Sequence, residues 1–359
     1  MHRKTLTQRL TALLALALLP SAMALAAEPA VSVINFGVAQ VGKGGVPISN
    51  SGVAGLADQR KAIQEALNDE RIEVRWHYFK GAGPAVNEAL ANGQLDFATQ
   101  GDLPAVIGKA GGLDTRLLTA DSRLTSTYLL VPHSSPAQSL SDLKGKKVAL
   151  FKGTNLYLAI LRALKHEGLT ERDFRSVNMD VATMTAALTS GDVDGAWFGP
   201  EAFELQAKGV GRIIYDTRAV SPQLTRQSHV LVRSEFEQAH PEIVQKVVNA
   251  LVKTAAWATD DANRDAVFAL WARAGVPEEA LRAEQQGQDF NARYTPRLDE
   301  FFISRYRTTV DESKALRLIR NDVDVEAWIA PQYVNNAITE LGLESRWPAF
   351  DANNQAKAH

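Results

Sequence analysis

The stretch ALANGQLDFATQG, Ala89 to Gly101, returns 98 residues later as ALTSGDVDGAWFG, Ala187 to Gly199. The two share Ala-Leu-x-x-Gly-x-[Leu/Val]-Asp-x-Ala and a closing glycine. In each, the alanine-leucine pair reads as the end of a helix and the first glycine as its stop, because glycine enters the left-handed backbone region at little steric cost. A short apolar strand and a tight turn follow. Two such units at one offset predict two lobes built alike.

Around these units the chain alternates. Strand patterns lie at Val31–Gly37, Ile72–Tyr78, Leu95–Thr99, Thr115–Ala120, Ser126–Val131, Lys147–Phe151, Val193–Phe198, Arg212–Asp216 and His229–Arg233. Helical spacing falls between most of them, as at Gly55–Asn68, Pro84–Ala91, Leu156–His166 and Thr183–Thr189. This order predicts an α/β protein with largely parallel sheets. From Pro241 onward the pattern is almost purely helical. The strand-like stretches STYLLVPHSSP (Ser126–Pro136) and RQSHVLVRSEF (Arg226–Phe236) bracket the second unit and are read as the crossings between lobes. The expected division is a discontinuous first lobe, 28–130 and 231–352, a second lobe, 131–230, and a loose polar tail, 353–359.

The N-terminus carries Arg3, Lys4 and Arg9, an apolar run from Leu10 to Leu19, and small residues spaced Ala-x-Ala at Ala22, Ala24 and Ala26. That is the pattern of an export signal, residues 1–27, too short and too abruptly ended by Pro20 to span a bilayer. Its removal takes the formal charge from −2 to −5. A mildly acidic chain without a basic stripe argues against a nucleic-acid partner. With no cysteine there is neither a disulfide framework nor a lipid-attachable thiol, so the expected location is free in the periplasm, as a monomer.

GVAQVGKGG, Gly37 to Gly45, matches the first part of a phosphate-binding loop, but Gly44 stands where a magnesium-binding hydroxyl belongs. No nucleotide or other cofactor is expected. No two of the seven histidines have metal-ligand spacing, and no nucleophile elbow is present, so neither a metal site nor a catalytic residue is expected. TQGDLPAVIGKAGG (Thr99–Gly112) and KGTNLY (Lys152–Tyr157) both run from a strand end into a helix start. Such a start presents unpaired N–H groups and a partial positive charge, the makings of an anion receptor. Asp102 is expected to cap the first of these helices.

TQGDLPA, KGTNLYLAILRALKHEGL, GDVDGAW and RQSHVLVRSEF, following an export signal in this order, resemble the aliphatic sulfonate-binding proteins of ATP-binding-cassette importers, within the wider sulfonate, taurine and nitrate group. The likeness runs from about Val31 to Lys253. It implies a two-lobed type II periplasmic-binding-protein clamshell, each lobe a mainly parallel sheet flanked by helices, with extra C-terminal helices. It also implies a non-enzymatic protein that closes on a small anionic organosulfur ligand, a sulfonate or sulfate ester, and hands it to a membrane permease. The alternatives are taurine, nitrate or another small anion, and an exported enzyme on the same fold. The chain departs from the family at Gly199-Pro200-Glu201-Ala202, where Trp-Asp-Pro-Tyr is frequent, at Tyr157, where histidine is common, and in a longer loop from Gln40 to Gly55.

The expected site has the amides of Gly101 and Asp102 facing those of Thr154 and Asn155. Side chains of Gln40, Thr154, Asn155 and Ser228 add donors, and Tyr157, Trp197 or Phe198 cover the organic tail. The part played by Lys43, Arg226 and Glu201 is left open.

Overall fold

The computed structural model describes residues 31–357; the expected export signal lies outside them. Among the described residues ten strands form two five-stranded sheets. The first holds β1 (Val33–Val38), β2 (Glu73–Tyr78), β3 (Phe97–Gly101), β4 (Thr115–Thr125) and, far along the chain, β10 (Arg226–Arg233), in the order β2-β1-β3-β10-β4. The second holds β5 (Tyr128–Pro132), β6 (Lys147–Leu150), β7 (Arg175–Asn178), β8 (Gly195–Phe198) and β9 (Gly211–Asp216), in the order β7-β6-β8-β5-β9. In each sheet the first three strands are parallel and the fourth is antiparallel to both neighbours. The repeated sequence units place β3 and β8 at the centre of their sheets. Gly93 and Gly191, just after the preceding helices, have φ of 67° and 77°, the left-handed stop that the sequence calls for.

The antiparallel strands are the ones on which the chain changes sheet. It leaves the first sheet after Thr125 and returns at Arg226, so the expected boundaries at 130/131 and 230/231 fall inside β5 and β10. The expected helix 55–68 is two, α1 (Val53–Gln59) and α2 (Ala62–Ala66), because Lys61 between them takes φ of 56°. The other helices that shape the centre are α3 (Ala82–Ala91), α4 (Asp102–Ala110), α5 (Asn155–His166), α6 (Val181–Ser190) and α7 (Glu201–Ala207). Of the C-terminal helices, Pro241–Ala258 packs on α1 and α2, Glu300–Ala315 on α4 and Pro331–Glu340 on β4, while Glu278–Gln285 meets α7. No helix among the described residues is long and apolar enough to cross a membrane.

One core lies about the second sheet, with Leu129, Leu150, Ile160, Leu164 and Trp197 in it, and another about the first, with Val106, Leu117, Phe302 and Trp328. Each large apolar side chain so buried contributes roughly 1.5–3 kcal/mol. Because helices cover both faces, the central strands are buried throughout: every residue of β3 and β8 is inside. The tail expected to be loose folds back in its described part. Ala356 bridges to Phe350, and Lys357 reaches Glu300 at 2.9 Å.

Candidate functional site

The carboxyl ends of the parallel strands meet the amino end of β10 between the two sheets, the usual place for a crevice in open α/β sheets. β3 ends at Gly101, the N-cap of α4; the turn after β6 ends at Thr154, the N-cap of α5. Neither cap residue supplies a side-chain hydrogen bond to its helix; in α4 the Leu103 amide is taken by the Asp102 carboxylate at 2.9 Å, and the remaining first-turn amides depend on outside partners. The two starts touch: a Cβ on Gly101 would collide with the Asn155 side chain. Ser228 lies beside them, directly across the ladder from Gly101.

Arg226, the first residue of β10, supplies the charge. Its Nη2 donates to the Ser126 carbonyl at 2.8 Å and its Nη1 to Asn155 Oδ1 at 3.3 Å, while its buried Nε has no partner. Burial pushes its pKa down, and the charges of Glu201 and Asp102 oppose that. An arginine fork with an unpartnered Nε beside two helix starts is suited to an oxyanion. A third helix start is already filled by the protein: the buried Asp121 carboxylate accepts from the Ala54 amide at 2.7 Å and from Ser228 Oγ at 2.9 Å. Burial raises the Asp121 pKa despite these bonds.

Asp102 is not the cap of α4 but its first helical residue. Its carboxylate is fully buried, takes the Leu103 amide at 2.9 Å and lies 3.6 Å from Arg162 of α5. Burial raises its pKa, with Arg162 as the largest opposing influence. Arg162 also reaches Glu312 at 2.6 Å and Thr309 at 2.9 Å, so this buried network joins α4, α5 and the helix Glu300–Ala315 behind the crevice. The Asp102 side chain is thereby a tie between the sheets, and only its backbone remains as a candidate ligand contact.

Of the residues singled out in the sequence, Gly101, Asp102, Thr154, Asn155 and Ser228 come together here. Thr154 turns its hydroxyl back to the Phe151 carbonyl at 2.7 Å. Gln40 joins at one remove: its side chain bonds Ser49 and Asn50, and Asn50 donates to Glu201 at 3.1 Å across the crevice. The long loop after β1 thus spans to α7, where Lys43 also pairs with Glu204 at 2.7 Å.

The three expected tail contacts are side chains of the second-sheet core. Tyr157 is buried in the second-sheet core and donates its hydroxyl to Glu171 at 2.6 Å. Trp197 is 1% exposed and packs edge-on against Tyr215; Phe198 is 0% exposed. Adjacent residues on a strand do point to opposite faces, but both faces of β8 are covered, so both rings are packed in the second-sheet core. Arg226, Asp121 and Asn50 are the central residues the sequence reading did not place. The basic side chain opening the returning strand was the available signal for the first.

The sequence pattern described as NMT1/THI5 like matches residues 68–264, more than half of the chain. The chain belongs to the NMT1/THI5-like family. A solved periplasmic sulfonate-binding protein of a sulfonate ABC transporter from Methylobacillus flagellatus KT superposes with a TM-score of 0.78 at 32% identity, covering 91% of this chain and 99% of that one. A Bacillus subtilis (strain 168) protein named for binding aliphatic sulfonates is 27% identical over 205 residues, 56% of this chain and 60% of its own. This NMT1/THI5-like chain is also 30% identical over 215 residues to a 2'-hydroxybiphenyl-2-sulfinate desulfinase of Rhodococcus erythropolis, 58% of this chain and 51% of the enzyme. The matches span only about half to three fifths of these two relatives' own length. The chain therefore has the fold of the two-lobed periplasmic binding proteins, and its relatives include binding proteins as well as an enzyme.

Proposed function

We propose that this protein is the periplasmic solute-binding component of an ABC importer and captures a small organic sulfur oxyanion, an aliphatic sulfonate or a sulfate ester, between its two lobes. The observation that carries the reading is the meeting of the starts of α4 and α5, one beside each sheet, next to the buried, unpartnered Nε of Arg226. A sulfonate stays ionised at every physiological pH, so its capture needs fixed donors and no acid or base. Charge-assisted hydrogen bonds contribute on the order of 1.5–3 kcal/mol each, and a few together reach micromolar affinity, about −8 kcal/mol. Because donors come from both sheets, ligand favours the closed arrangement. The closed monomer then presents the ligand to a membrane permease.

The sulfonate-binding relatives support this reading. The desulfinase keeps an enzymatic alternative in view. Against it, the chain has no cysteine, and the hydroxyl of Ser228 is held by Asp121 and Ser122 with no histidine beside it. The neighbouring His229 instead faces Tyr306. Calorimetric titration with alkanesulfonates, alkyl sulfates, taurine and nitrate, with a neutral sugar as control, tests the proposal. Heat with one or more of the anions and none with the sugar is expected. Binding of neutral solutes alone, or release of sulfite from an arenesulfinate, would overturn it.

A further inference from the structure

The loop from Gln40 to Ser51 is braced along its length. The Gln40 side chain accepts from Ser49 at 2.5 Å and donates to Asn50 at 2.6 Å, which ties the two ends together, and the Gly42 amide closes a turn onto the Val46 carbonyl at 2.8 Å. Compact loops of this kind are frequently functional. The outer part is fastened to the turn after the helix Arg264–Ala272. There the Lys43 amide donates to the Ala274 carbonyl at 2.7 Å, and a Cβ on Gly42 would come within 2.6 Å of the same oxygen. From this prong two contacts cross to α7, which follows β8 of the second sheet: Lys43 Nζ to Glu204 Oε1 at 2.7 Å, and Asn50 to Glu201 at 3.1 Å. Neither strands a group when it parts. Lys208, four residues along, holds the same Oε1 of the buried Glu204 at 2.5 Å, so that carboxylate keeps a cation after Lys43, 57% exposed, has passed to water. Asn50 likewise keeps Gln40. The Asp102–Arg162 pair behind the crevice is the opposite case, since both side chains are at most 4% exposed and separating a buried pair costs far more than separating an exposed one.

We propose that this prong is a releasable latch across the crevice: Lys43 and Asn50 engage α7 only when the two sheets are drawn together, and their hold sets how long a captured ligand stays. Contacts made only in the closed form act on release and leave the first encounter alone. Lys208 is the part that makes the latch releasable, because it competes with Lys43 for one oxygen. The effect on ligand rests on the anion-receptor reading above, whereas the effect on the empty protein does not. The two lysines also separate a latch from a general field. Each sets one positive charge against the same oxygen, so a long-range pull on an anionic guest weakens alike when either is removed. A latch gives opposite signs. Without Lys43 the closed form loses a contact; without Lys208 the Lys43 pair becomes the sole support of a buried carboxylate and is harder to part.

The test uses energy transfer between dyes on two introduced cysteines, Glu88→Cys on α3 and Thr189→Cys on α6, both exposed positions in a chain that has no cysteine of its own. Transfer is read in the empty full chain and, by stopped flow, during binding and release of butanesulfonate. The double variant Lys43→Met with Asn50→Ala should release butanesulfonate about fivefold faster, with the encounter rate changed by less than about twofold, and should shift the empty protein toward the open arrangement. Lys208→Met should slow release by about twofold and shift the empty protein toward the closed arrangement. Two variants that move in the same direction, or that both leave release and transfer unchanged, would overturn the latch. If the unsubstituted chain binds no butanesulfonate, that result counts against the anion reading alone, and transfer in the empty protein decides the latch by the same opposition of signs.

Discussion

Gly101→Ala isolates the contact between the two helix starts, on which the proposed closure around ligand depends. Gly101 has φ of −80° and ψ of 169°, a conformation open to alanine, so the substitution does not strain the backbone. Its added methyl instead falls on Nδ2, Cβ and Cγ of Asn155, the first residue of α5. Either Asn155 shifts, losing its 3.3 Å bond from Arg226, or the two helix starts stand further apart. Overpacking of this kind costs about 1–3 kcal/mol, and a cost confined to the closed form weakens ligand by about 5- to 160-fold. Each sheet keeps its own core, so thermal stability without ligand should change far less than affinity. Titration of Gly101→Ala, Asn155→Gly and the double variant completes a cycle. Asn155→Gly removes the atoms struck by the methyl, so alanine at 101 should cost little in that background, a coupling above about 1 kcal/mol. Full affinity in Gly101→Ala, or an equal loss in both backgrounds, would refute the reasoning.

Arg226→Ala removes the cation between the helix starts and should weaken every sulfur oxyanion by about tenfold or more, with Arg226→Lys intermediate because it keeps the charge and loses the fork; unchanged calorimetric affinity would exclude Arg226 from the site. Trp197→Ala opens a cavity in the second-sheet core and should cost about 3–5 kcal/mol in urea denaturation without altering preference among ligand tails. A changed tail preference would return Trp197 to the crevice. His229 is fully buried, and burial pushes its imidazole down to about 3, below its value in an unfolded chain. The stability of the neutral form is complete above about pH 6.5 and is lost as pH falls toward 3, at about 1.4 kcal/mol per unit, or about 2 kcal/mol by pH 5. Asp102 and Asp121, whose pKa values are raised, act in the opposite sense, so the measurement is the difference between wild type and His229→Gln in urea melts at pH 7.5 and 5. Equal pH slopes would contradict it.

Nine of the ten strands were legible because strands covered on one or both faces are written as short alternating or apolar runs between helical segments. The exception, β7, is an edge strand of sequence Arg-Ser-Val-Asn, exposed or half-buried along its length, and such a segment carries no apolar pattern to find. The helix starts at Gly101 and Asn155 were readable from glycine and polar residues at strand ends. Their convergence was foreshadowed by the repeated unit, which gives the two sheets one topology. The burial of Trp197 and Phe198 was not legible because alternation along a strand tells which face a ring takes but not what covers that face. Tyr157 is buried for a related reason: on α5 it stands three residues before Ile160 and seven before Leu164, on the side turned to the core. Arg226 and Asp121 depended on which strands are neighbours, and β10 lies more than a hundred residues beyond the β3 and β4 it separates.

That late insertion governs the order in which the chain can be completed. β3 and β4 do not pair with each other; the strand between them is the last of the ten to be synthesised. The N-terminal third consequently emerges with a gap through the middle of its sheet and stays unfinished until residue 233 is available, whereas the strands from Tyr128 to Asp216 can assemble as one uninterrupted block. Pairings of such long range are slow to form. A nascent polypeptide with this layout has its terminal portion held open for most of its synthesis, and the residue that begins the closing strand is Arg226, the cation beside the two helix starts.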